Sequence, residues 1–97
     1  MKPYESLYIL NTELEQDAID AVVEKMKEII EKQGGEIQKL DRWGKKRLAY
    51  PIDEMTEGYY VLMQFDGSPE SAKELERVQR ISDEVVRFIT VSTEDQN

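Results

Sequence analysis

The residues best suited to chemistry in this chain are five cations that fall within nine consecutive positions. They are Lys39, Arg42, Lys45, Lys46 and Arg47. One acid, Asp41, lies among them, so the segment is strongly positive in a chain whose formal net charge is -8. Lysine and arginine bind nucleic acid by neutralising its phosphates, and on an edge strand they also prevent pairing with another chain. The pattern predicts either a binding surface or the solvated edge of a β-sheet.

The sequence offers little for catalysis, because it contains no histidine and no cysteine. Most zinc sites and most pairs of a nucleophile with a base are therefore excluded. Carboxylates do cluster at Glu13, Glu15, Asp17 and Asp20, but acids at the start of a helix are explained by the helix dipole. We expect no enzymatic activity, no cofactor and no metal.

The length of 97 residues indicates a single domain, which we place at residues 1–91, followed by a short polar and acidic tail at 92–97. A pI near 4.5 argues against broad nonspecific binding to nucleic acid. Any contact with RNA must therefore be local or shared with a partner. The N-terminus lacks the apolar run of a signal peptide, and no segment is apolar enough to span a membrane. These features predict a soluble, cytoplasmic protein.

Two segments in the first third of the chain predict a strand followed by a helix. Residues Tyr4–Leu10 are aromatic and aliphatic with one charge, which is typical of a central strand. A helical spacing of apolar residues follows, and we expect this helix to begin at Thr12 with Glu15 completing a capping box. Gly34 and Gly35 should end it through a left-handed cap.

The basic segment lies in a long predicted strand, Glu36–Ile52, with a bulge or twist at Gly44. Strict alternation places the apolar and basic positions of this strand on one face. These positions are Leu40, Arg42, Gly44, Lys46, Leu48, Tyr50 and Ile52. A turn leads to a second central strand, Tyr59–Phe65, so that the two strands form a hairpin.

The last third of the chain predicts a second helix and a final strand. Ser68 is a capping residue, Pro69 suits the first helical turn, and Val85–Val91 has the composition of a strand. The resulting order is β-α-β-β-α-β. We therefore predict an α+β ferredoxin-like sandwich, in which two helices cover one face of a four-stranded antiparallel sheet.

The element order and several local motifs give a family resemblance over nearly the whole chain. The most specific motif is the basic run that ends in LAYPI at residues 48–52, followed by Gly58 and Tyr59. With a Tyr-Glu dipeptide opening the first strand, this pattern resembles the bacterial small-subunit ribosomal protein six family. The resemblance implies a structural component of the small ribosomal subunit. It also implies binding to the central domain of the small-subunit ribosomal RNA together with ribosomal protein eighteen.

The resemblance suggests two sets of site residues. Those expected to contact RNA are Lys2, Tyr4, Lys45, Arg80 and Arg87. Those expected to contact the protein partner are Arg42, Trp43, Lys46, Arg47 and Tyr50. Trp43 keeps two interpretations, an interface anchor or an ordinary half-buried sheet residue. Arg80 and Arg87 are expected to bracket the last strand, and the short tail gives little chain for further contacts.

Two other functions of small domains with this element order were weighed. An acylphosphatase would need a phosphate-binding loop after the first strand, but the loop at residues 11–15 carries Glu13 and Glu15, which repel phosphate. Asn11 in that loop is better explained as a turn or cap residue. The alternative function is a regulatory module that binds a metabolite as a homo-oligomer, which would require a pocket at a dimer interface.

Overall fold

Strands and helices follow one another in the predicted order. A computed structural model describes residues 1–52 and 55–94, and of Pro51 and Ile52 it describes only the backbone. The strands are β1 (Lys2–Leu10), β2 (Glu36–Ile52), β3 (Met55–Gly67) and β4 (Val85–Ser92), and the helices are α1 (Gln16–Lys32) and α2 (Pro69–Ile81). The order β-α-β-β-α-β is confirmed.

The four strands form one antiparallel sheet in the order β2-β3-β1-β4. The prediction that β1 and β3 are central and β2 is an edge strand is confirmed. β4 forms the other edge. This topology is the ferredoxin-like sandwich that the element order predicts.

Alternation along the central strands places the core on one side of the sheet. Tyr8 and Leu10 of β1, with Val61, Met63 and Phe65 of β3, are buried in one apolar cluster. The helices contribute the rest of this cluster, which includes Ile19, Val22, Val23, Met26 and Ile30 of α1 and Ala72, Leu75 and Val78 of α2. Both helices therefore cover the same face, and we call the opposite side of the sheet the open face.

The N-cap of helix α1 lies three residues later than the capping-box pattern predicts, so that prediction was wrong. Its N-cap is Glu15, whose side chain makes no capping hydrogen bond. The preceding residues form a turn instead, in which the Asn11 side-chain oxygen accepts the Glu13 N–H at 2.8 Å. Asn11 is thus a turn residue, as the sequence predicts. A turn of this kind competes with helix formation for the same backbone groups.

The other helix boundaries follow the predicted chemistry. Gly34 has φ +81°. The N–H groups of Gly34 and Gly35 donate to the carbonyls of Glu31 and Ile30, which is a Schellman cap. At the start of α2, the Ser68 hydroxyl accepts the Ser71 N–H at 3.1 Å. Both caps are confirmed.

The β2–β3 hairpin extends beyond the end of β1. Leu10 is the last residue of β1 and pairs with Tyr59, whereas Lys46 and Arg47 pair with Gly58 and Glu57 further along the hairpin. The basic residues of β2 therefore lie on a two-stranded arm and on the strand leading into it.

A bulge in β2 corrects the predicted face of its residues. The register shifts between Arg42 and Gly44, and Gly44 has φ +79°. Before the bulge, Leu40 pairs with the core residue Met63. After it, Leu48 is buried beside Gly58 on the open face. The expectation that these two leucines share a face was wrong, because the extra residue shifts the alternation by one position.

The C-terminal prediction is tested only in part. Ser92 belongs to β4, and the Thr93 N–H donates to the Pro3 carbonyl at 3.0 Å, so the strand runs further than expected. Residues 95–97 of the predicted tail lie outside the described residues. Within the described ranges, neither helix has the length and hydropathy needed to cross a lipid bilayer.

Candidate functional site

Three consecutive cations of β2 present their charge to solvent. Lys45, Lys46 and Arg47 are all exposed, and none of them forms an ion pair with another described residue. Strand alternation directs Lys46 to the open face and its two neighbours to the opposite side. The arm therefore carries positive charge on both faces, and this charge is available to an external anion.

Arg42 differs from these three because it is held by helix α1. Its Nη1 atom donates to the Oδ1 atom of Asp20 at 2.5 Å, and Gln16 donates to the same oxygen at 2.9 Å. These two hydrogen bonds hold the pKa of the Asp20 carboxyl below its usual value, and the bond from Arg42 has the larger effect. The same bond raises the pKa of Arg42. Arg42 thus links the edge strand to α1.

Trp43 is the residue that the bulge adds to β2, and it lies on the open face. Its ring stacks on Tyr60 of β3, with 6.3 Å between centroids and 17° between planes. The indole remains 43% exposed. The interpretation of Trp43 as a half-buried sheet residue therefore agrees with the packing of one side of the ring, and its role as an interface anchor stays a prediction.

A row across the open face connects the two edges of the sheet. Gly44 pairs with Tyr60, Tyr60 with Ile9, and Ile9 with Arg87 of β4. Arg87 is exposed and lies within β4, so the expectation that it flanks this strand was wrong. The row spans three strand spacings, about 14 Å. Arg87 therefore shares a face with Trp43 and Lys46.

Two other predicted contacts, Lys2 and Tyr4, lie away from this row. Lys2 is at the far end of the sheet, where it pairs with Gly67 and approaches Glu94 at 3.7 Å. Tyr4 is half-buried and stacks on Phe65, with centroids 5.4 Å apart, on the helix side. The structure thus gives Tyr4 a packing role.

Arg80 and Tyr50 complete the predicted set. Arg80 is in the last turn of α2, with its guanidinium 6.0 Å from the centre of the Phe88 ring. Tyr50 is 80% exposed near the end of the hairpin. Its phenol ring is therefore available to a partner, whereas Arg80 lies over β4 on the helix side.

Two residues that sequence reasoning did not select now belong to the site. Tyr60 supports Trp43, and alternation along β3 would have placed it on the open face opposite Val61. Asp20 holds Arg42 across a separation of 22 residues. Nothing in the sequence pattern relates Asp20 to Arg42, because their contact depends on how α1 packs over the sheet.

Among the described residues, no group of three or more acids is arranged to hold a metal ion. One mainly apolar depression of about 290 Å³ lies on the open face of the sheet, beside Leu7, Ile9, Arg87, Phe88 and Ile89.

Comparison with known proteins agrees with this description. Residues 3–92 match the family model for ribosomal protein S6. Small ribosomal subunit protein bS6 of Clostridium novyi is 50% identical over 94 residues, covering 97% of this chain and 99% of that protein. The bS6 protein of Caldanaerobacter subterraneus subsp. tengcongensis is 46% identical over 95 residues, covering 98% of this chain and all of that protein.

A solved structure supports the same assignment. 30S ribosomal protein S6 from Thermotoga maritima superimposes with a TM-score of 0.89 at 32% identity, covering 94% of this chain and 86% of that one. Proteins of this kind are structural, not enzymatic. This chain belongs to the ribosomal protein S6 family.

Proposed function

We propose that this protein is a structural component of the small ribosomal subunit that binds the central domain of the small-subunit ribosomal RNA together with ribosomal protein eighteen. The observation that carries the proposal is the unpaired positive charge of Lys45, Lys46 and Arg47 on the β2–β3 arm. Free cations on a projecting arm suit contact with phosphates.

The charge of the whole chain explains why a partner is needed. At a formal net charge of -8 the protein repels RNA at long range. A few local cations release few counterions from the RNA, so they contribute little to the binding free energy. A cationic partner bound to this chain would neutralise further phosphates. Binding to RNA is therefore strong only when both proteins are present.

The surface divides into two kinds of contact. For RNA we propose a contact by Lys45 on the arm. Further RNA contacts are proposed at Arg87 on the open face, at Arg80 beside β4, and at the end of β1 that holds Lys2 and Tyr4. Since Tyr4 is half-buried, its contribution to RNA binding is to hold this end of β1 in position.

For the protein partner we propose the aromatic and basic residues of β2. Trp43 and Tyr50 supply exposed ring surface, which is the kind of group that anchors interfaces. Lys46 and Arg47 set the charge around these anchors, and at the rim of the interface they also reach phosphates of the RNA. Arg42 acts from a position fixed by Asp20.

Purification tests the proposal directly. A tagged copy expressed in a bacterium should sediment with the small subunit and crosslink to the central domain of its RNA. A copy with Lys45, Lys46 and Arg47 replaced by alanine should crosslink less. Sedimentation of the intact protein away from ribosomal subunits would contradict the proposed function.

A further inference from the structure

The two edges of the sheet differ in how they are protected from another strand. β2 carries the exposed cations and a bulge at Gly44, which are common devices that block strand addition. β4 has one charge, Arg87, and no proline. Its register with β1 is unbroken from Ser92 to Arg87, and Ile89 is 58% exposed. β4 is therefore the less protected edge.

The register identifies the backbone groups that β4 turns outward. The Thr93 N–H donates to the Pro3 carbonyl, so Thr93 and Pro3 are a hydrogen-bonded pair. In an antiparallel ladder such pairs alternate with pairs that make no hydrogen bonds to each other. Thr90 and Phe88 lie opposite Ser6 and Tyr8 in the pairs that make no hydrogen bonds to each other. Their N–H and C=O groups point away from β1, toward the free edge.

We infer that β4 accepts an extended segment of a cationic protein partner as a fifth strand. The inference rests on the proposed function, because it says where part of that partner binds. Acids flank the strand, with Asp83 and Glu84 before it and Glu94, whose carboxylate lies 3.7 Å from Lys2, after it. The segment that fits has an alternating apolar centre, which packs beside Ile89 on the open face, and basic residues at its ends.

A second copy of this chain fits the same edge less well. Each copy carries a net charge of -8, and eight paired residues bury much less than the roughly 1,200 Å² typical of a stable complex. A partner strand of opposite charge gains attraction where a second copy meets repulsion. The two edges are about 14 Å apart across the open face, so a partner that spans this distance contacts β2 as well.

Backbone hydrogen exchange tests the inference without RNA or the natural partner. The probe is a short peptide with alternating valine and threonine at its centre and lysines at both ends. A matched peptide carries glutamates in place of the lysines. In the free protein, the Phe88 and Thr90 amides should exchange quickly and the Ile89 and Val91 amides slowly. At ten times its Kd, the lysine peptide should slow the first two roughly tenfold.

A pair of variants extends the test to the partner protein. Ile89→Lys adds a charge to the free edge, and Ile81→Lys makes the same change at a side chain of similar exposure, 65%, in α2. The first should weaken binding of the lysine peptide and of ribosomal protein eighteen by tenfold or more, and the second should leave both unchanged.

Three results separate the outcomes. Slower exchange at Phe88 and Thr90 with the lysine peptide alone supports strand addition. Unchanged exchange at these amides, or equal slowing by both peptides, overturns it. Failure of ribosomal protein eighteen to bind contradicts the proposed function, while the peptide result still decides whether β4 accepts a strand of this chemistry.

Discussion

Replacing Lys46 and Arg47 together with alanine should separate binding from folding. Both side chains are exposed and form no ion pair with a described residue. Surface substitutions of this kind usually change the free energy of unfolding by no more than about 0.5 kcal/mol. We therefore expect the unfolding midpoint in urea to stay nearly unchanged.

The effect on binding follows from counting phosphate contacts. Each neutralised phosphate contributes about 0.7 to the slope of log K against log salt for single-stranded nucleic acid, and about 0.9 for a duplex. Loss of two contacts should lower the slope by roughly 1.4 to 1.8. If one residue contacts the protein partner instead, the slope should fall by about half as much.

The assay is a titration of labelled central-domain RNA with the protein and ribosomal protein eighteen, at several salt concentrations. A control variant with Lys25 and Lys73 changed to alanine removes the same charge from exposed positions on the helices. An equal loss of slope in the control would show that only net charge matters. Unchanged binding with a large loss of stability in the β2 variant would refute the reasoning.

Three further substitutions test the fold around the site. Ser68→Ala removes the cap on α2, and urea unfolding should show a loss of about 1 kcal/mol; no loss would mean that the hydroxyl is dispensable. Gly58→Ala should destabilise by about 1 to 3 kcal/mol, since its new Cβ would collide with Ile9, and unchanged stability would show that the sheet relaxes there. The hydrogen bond from Arg42 lowers the pKa of Asp20 in the folded protein. This ion pair therefore stabilises the fold at pH values above the unfolded pKa of Asp20, and the stabilisation is lost as the pH falls through the folded pKa. Asp20→Asn should lack this acid-dependent loss, and an equal loss of stability in both proteins as pH falls through about 4 would contradict it.

Much of the fold could be predicted because its signals are local. The boundaries of β2, the glycine cap after α1 and the Ser68 cap of α2 all follow from backbone preferences of single residues. The start of α1 was wrong because two local signals competed. The turn at Asn11 fixes the backbone of residues 11–14, which the capping box at Thr12 would place in the first turn of the helix, and the turn prevails.

The site could be predicted only in part, because its geometry depends on tertiary packing. The basic segment was evident from charge alone, and Gly44 correctly marked the bulge. The face of each residue beyond the bulge was not evident, since one inserted residue reverses the alternation and carries Leu48 to the open face. The contact of Asp20 with Arg42 joins elements far apart in sequence, so no local pattern reveals it.

The central claim is that this acidic protein binds RNA only together with a cationic partner. The most direct measurement titrates labelled central-domain RNA with this protein alone, with ribosomal protein eighteen alone, and with both. We predict weak binding by this protein alone, and much tighter, salt-sensitive binding when both are present. Equal affinity of this protein for the RNA with and without the partner would contradict the claim.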